Sequence, residues 1–102
     1  MLLSCTSKVD CEYLANRLSS AECNIIVIEE PNIGRSFRLW GVNPTTKYRE
    51  TYYDEEAWYV SFGHKIAIGD TVVKNPGELK FYIHKKDTVL VYPFQCGEKV
   101  YE

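Results

Sequence analysis

The chain has 102 residues, 45% of them hydrophobic and 25% charged, with a net charge of −2 and a pI of about 5.7. That is one domain's length at a globular composition, which excludes a chain disordered throughout. No stretch approaches the ~20 consecutive apolar residues of a membrane-spanning helix, and the mild acidity argues against nonspecific nucleic-acid or anionic-membrane binding.

Residues 7–20 are predicted to form a helix. Ser7-Lys8-Val9-Asp10 fits a capping box, and Cys11, Leu14, Ala15 and Leu18 recur at helical spacing as one apolar face. Asn24 to Glu29 follows as a strand, with the β-branched run Ile25-Ile26-Val27-Ile28 expected to be covered on both faces. Ser36 to Val42 and Tyr48 to Tyr53 are further strands, separated by the turn Asn43-Pro44-Thr45-Thr46. Asp54-Glu55-Glu56 favours a short helical turn. Thr71 to Lys74 is a strand, and Asn75-Pro76-Gly77 a turn. Leu79, Phe81 and Ile83 then alternate with polar partners ahead of Lys85-Lys86-Asp87, and Val89 and Val91 alternate beyond it. This predicts a hairpin, with Pro93 ending the second strand. The expected fold class is α+β: an N-terminal helix packed on a curved antiparallel β-sheet or partial barrel of five to six short strands.

Chemistry is sparse. His64 and His84 lie in no pattern with a nucleophile, and no phosphate-binding or dinucleotide-binding glycine motif occurs. Glu50 with Asp54-Glu55-Glu56 lacks the alternating spacing of a calcium loop and reads as a solvated acidic loop. No catalytic residue, metal or cofactor is assigned.

Four cysteines are present, at 5, 11, 23 and 96, none in a C-x-x-C pair. A bridge between the helix region and the C-terminal strand, Cys11–Cys96 or Cys23–Cys96, is one expectation; four reduced thiols is the other.

The densest feature is the stretch from Tyr48 to Phe62. Tyr48, Tyr52, Tyr53, Trp58, Tyr59 and Phe62 are interleaved there with Arg49, Glu50, Asp54, Glu55 and Glu56. Tyr, Trp and Arg dominate binding hot spots, and the acids would favour a basic partner. Tyr48, Arg49, Tyr52, Tyr53, Asp54, Glu55, Glu56, Trp58 and Tyr59 are therefore the candidate partner-binding set. The competing reading sends alternate rings into the core.

Met1-Leu2-Leu3-Ser4-Cys5 resembles the lipobox that ends a bacterial lipoprotein leader, although a charged region and most of an apolar region are missing before it. Ile68-Gly69-Asp70-Thr71-Val72-Val73-Lys74 and Gly77 to Thr88, with its Lys85-Lys86-Asp87-Thr88 ending, are similar to the C-terminal half of small Gram-negative lipoproteins. The resemblance covers roughly residues 60–92 and the N-terminus. It implies residues 1–6 as a residual leader and tether, 7–102 as a single domain, lipidation of Cys5, and a periplasmic or outer-membrane-attached location, with the cytoplasm as the alternative. Some such proteins are immunity proteins that neutralise a toxin. The aromatic and acidic cluster, with no catalytic pattern beside it, leads to the expectation of a non-catalytic protein-binding module, with a basic toxin domain as one partner. A structural, disulfide-stabilised envelope or assembly component is the alternative. Nucleic acid is not an expected partner, and membrane contact is expected only through the anchor.

Overall fold

A computed structural model describes residues 2–55 and 57–102, with the backbone alone for 2–10 and 57. The order is a helix α1 (Leu2–Ser19), strands β1 (Cys23–Val27), β2 (Phe37–Val42) and β3 (Arg49–Asp54), two 3₁₀ turns (Ala57–Ser61 and Gly63–Lys65), then β4 (Thr71–Lys74), β5 (Lys80–His84), β6 (Val89–Cys96) and β7 (Lys99–Tyr101). The fold is α+β as expected, with seven strands among the described residues rather than five or six.

All pairings are antiparallel, in the order β3-β2-β1-β4-β5-β6-β7. Two meanders thus meet where β1 pairs β4, with Ile25 opposite Val72. One face carries the core: Cys23, Ile25, Val27, Phe37, Leu39, Tyr52, Val72, Phe81 and Ile83 are all buried. The sheet curls strongly around it. Tyr52 on β3 lies 5.7 Å, ring to ring, from Phe81 on β5, although β2, β1 and β4 run between them. At ~4.8 Å per strand, a flat sheet would hold β3 and β5 roughly 19 Å apart. Gly41 helps the strands close: a Cβ there would stand 1.9 Å from the Ile26 carbonyl oxygen. The 3₁₀ segment then lays Trp58, Tyr59 and Phe62 into the hollow, with Tyr59 stacked on Phe37 at 5.3 Å and Trp58 edge-on to Phe81 at 4.9 Å.

Several expectations need correction. The helix begins at Leu2, so Ser7 stands inside it rather than at its cap. Strand β1 is buried on alternate residues, because α1 and the 3₁₀ turns cover a single face of the sheet and leave Asn24 and Ile26 half-buried. Pro93 does not end its strand: β6 continues to Cys96, and Pro93 sits opposite Lys80. Its missing N–H is no loss, since the next residue, Phe94, donates to the Leu79 carbonyl at 2.9 Å. Val89 and Val91 face outward, because Leu90 and Tyr92 pair with Ile83 and Phe81.

Helix α1 buries Ala15 and Leu18, with Leu14 partly covered. A disulfide from Cys11 to Cys96 pins the helix to β6. Of the two expected pairings this is the one formed; Cys23 is a free thiol buried on β1, its Sγ 3.6 Å from the Val72 carbonyl. At the helix's C-terminal end the fully buried Lys74 donates to the carbonyls of Ser19, Ala21 and Asn75 at 2.9–3.0 Å. A cation there answers carbonyls that a helix leaves unpaired.

Candidate functional site

The nine candidate residues separate into two groups. Tyr52, Trp58 and Tyr59 are buried and belong to the core. The reason for Tyr52 is strand alternation, since it lies opposite the buried Leu39. Trp58 and Tyr59 are turned inward by the 3₁₀ segment, and each finds a partner for its polar tip. Trp58 Nε1 donates to the Pro93 carbonyl at 3.2 Å, and the Tyr59 hydroxyl to the Gly34 carbonyl at 2.8 Å. Tyr48, Arg49, Tyr53 and Glu55 are exposed, with Tyr48 at 76% and Tyr53 at 46%, and Asp54 is half-buried. Glu56 and the side chain of Cys5 lie outside the described residues.

The exposed group is gathered on β3, an end strand of the sheet. Asn43 N–H donates to the Tyr48 carbonyl at 2.9 Å, and bonded pairs recur at every second residue along such a ladder. Glu50, Tyr52 and Asp54 therefore bond to β2. Arg49, Thr51 and Tyr53 turn their backbone N–H and C=O groups the other way, toward the open edge. Among the described residues no backbone hydrogen bond reaches those outward groups. An unpaired edge of this kind is a template for another strand.

The side chains around the edge are organised. The Arg38 guanidinium lies 4.6 Å from the centre of the Tyr53 ring, and the Tyr53 hydroxyl donates to Glu55. That bond and the Glu55 charge hold the Tyr53 phenol above its usual range, against the Arg38 charge and a Ser36 hydrogen bond, which lower it. Arg49 pairs with Glu29 at 3.6 Å. Lys47 carries a positive φ of 68°, which lets the chain turn tightly into β3. Thr51 and Arg38 did not stand out in the sequence; only the β2–β3 register, with Arg38 opposite Tyr53 and Trp40 opposite Thr51, exposes their place.

The two histidines are exposed, His64 in the second 3₁₀ turn and His84 at the end of β5. Among the described residues no group of three or more His, Cys, Asp or Glu is placed to hold a metal ion. Asp70 accepts from the Ala67 N–H at 2.9 Å and from Lys85, which fastens the Gly69-Asp70 turn to the β5–β6 hairpin. An open cleft of about 640 Å³ lies beside the disulfide, lined by Leu14, Trp58, Val60, Tyr92 and Phe94 among others. No described helix is long and apolar enough to cross a membrane. No protein-family model matches the chain, and no curated protein or solved structure matches it significantly.

Proposed function

We propose that this chain is a non-catalytic protein-binding module whose docking element is the open edge of β3. One observation carries the reading: Arg49, Thr51 and Tyr53 turn their backbone groups to an exposed edge, where no backbone hydrogen bond from another described residue reaches them. Strand addition supplies affinity through main-chain hydrogen bonds and selectivity through alternate side chains. Here those side chains are Tyr53, braced by Arg38 and Glu55, with Tyr48 exposed just before the strand. The acids Glu50, Asp54 and Glu55 favour a basic strand.

The resemblance to lipoproteins adds the narrower proposal of a lipid on Cys5, a periplasmic location and a toxin domain as the added strand. An assembly component is the second reading. It draws on the Cys11–Cys96 bridge, which ties α1 to the sheet and leaves the edge free.

An array of extended ten-residue peptides of graded charge tests the module. Several basic peptides should bind the wild type, and Thr51→Pro should bind them at least tenfold more weakly while keeping its circular dichroism. The Thr51 N–H points away from β2, so proline removes an edge donor and spares the ladder. Equal binding by Thr51→Pro, or no binding of any peptide, would sink the reading.

A further inference from the structure

We propose that the occupant of the β3 edge is a second copy of this chain, its β3 paired antiparallel about a twofold axis through Thr51. The inference rests on the edge-docking reading above and names the partner at that same edge.

Only residues whose backbone groups face outward can bond across the edge, which limits the pairing to Arg49, Thr51 and Tyr53 of each copy. Centring on Thr51 gives three bonded pairs: Thr51 with Thr51, and Arg49 with Tyr53 of the second copy, twice. Residues directly opposite share a face, so each Arg49 guanidinium comes beside a Tyr53 ring. That repeats across the axis the Arg38–Tyr53 contact already made within the chain. The intervening residues also match, Glu50 with Tyr52 and Asp54 with Tyr48.

The neighbouring registers lack this agreement. A shift of two residues one way sets Glu50 against Glu50; the other way sets Glu50 against Asp54. Like charges directly opposite destabilise a strand pair. A shift of one residue faces each outward group with a residue bonded back to β2. Larger shifts leave a single bonded pair. The six-residue strand thus has one register that joins all three outward residues and sets no like charges directly opposite.

Sedimentation of the full chain over a wide concentration range should show a reversible monomer–dimer equilibrium. Thr51→Cys should form a disulfide-linked dimer under mild oxidation, at least tenfold faster than wild type, because residue 51 meets itself at the axis. Tyr53→Cys should not exceed the wild-type rate, whereas an equal mixture of Arg49→Cys and Tyr53→Cys should cross-link. Circular dichroism confirms that each variant folds. A monomer at every concentration overturns the proposal, as does a dimer in which Tyr53→Cys cross-links as fast as Thr51→Cys. A labelled peptide spanning residues 47–55 separates the two levels. If it binds a chain that stays monomeric, the edge is competent and only the second copy fails. If it does not bind a monomeric chain that still takes up basic peptides, only the second copy fails; if no peptide binds and the chain is monomeric, both readings fail.

Discussion

Cys23 and Tyr52 show how burial sets the chemistry of single side chains in this fold. Burial raises the Cys23 thiol above its ordinary value of 9.0, and the charge of Glu50 adds to the effect. Burial likewise raises the Tyr52 phenol above 10.0, helped by Asp54 and Cys23. Both groups stay protonated in the folded state and ionise once the chain unfolds. Their stabilising contribution is therefore complete below pH 9 and is lost progressively as pH rises from the unfolded values toward the raised folded ones. Lys74 acts in the opposite direction. Its burial lowers the ammonium below 10.5, so stability gains from it as pH rises toward that value. Comparing wild type with Cys23→Ala isolates the thiol. At pH 7 the variant should be less stable by about 1 kcal/mol, from the lost side-chain volume. Above pH 9 the difference should shrink by about 1.4 kcal/mol per pH unit. Urea unfolding between pH 7 and 10.5 measures it, and parallel stability curves would refute the assignment. Nothing in the sequence separates Cys23 from Cys11 as the bridging partner. Cys23 falls on the inward phase of β1, and that phase is fixed by pairing with β2 and β4.

At the level of elements, the strands that could be read from the sequence are those whose alternation matches a one-sided core. Thr71–Lys74 and the hairpin from Leu79 to Tyr92 are such cases, because Val72, Phe81 and Ile83 mark the buried face. Strand β7 was not legible: Lys99–Tyr101 has only three residues, and Gly97 before it, at φ 65°, reads as a chain end as readily as a turn. Pro93 misled for a related reason. Proline removes a donor from a strand, yet β6 keeps its ladder through Phe94. Helix α1 depends on elements far away in sequence. It is held by Leu14, Ala15 and Leu18, by Lys74 and Gly77 at its last carbonyls, and by the Cys11–Cys96 bridge across 85 residues. Closing a loop of that length is worth roughly 4–5 kcal/mol in the chain-entropy account. Reduction should therefore lower the midpoint of unfolding substantially and free the helix first. Hydrogen exchange after reduction should accelerate at residues 11–19 while the amides shared by β1 and β4 stay protected. Uniform acceleration across the sheet would mean that the bridge supports the whole fold and not chiefly the helix.

Over the whole molecule, the curl of the sheet decides which aromatic residues hold the fold and which are left for a partner. Composition cannot make that division, since Tyr48, Tyr52, Tyr53, Trp58, Tyr59 and Phe62 form one continuous cluster in sequence. Three dimensions split it: four rings fill the hollow of the sheet, and Tyr48 and Tyr53 remain outside. The general class was legible because a single helical period followed by short alternating strands leaves few other arrangements. The site was not, because edge position depends on strand order, and the β1–β4 pairing that sets this order joins segments more than 40 residues apart. A pair of substitutions tests the split. Trp58 touches Phe62, Phe81 and Phe94 at ring distances of 4.9–6.2 Å and holds the Pro93 carbonyl, so Trp58→Ala should remove about 3–5 kcal/mol and lower Tm by well over 10 °C. Tyr53→Ala loses the Arg38 contact and a surface hydrogen bond, and should change stability by under about 1 kcal/mol. In sedimentation the order reverses. Tyr53→Ala should weaken self-association several-fold, whereas a folded Trp58→Phe should associate like wild type. If Tyr53→Ala instead melts as early as Trp58→Ala, Tyr53 supports the core, and the division of the cluster into packing and edge residues is wrong.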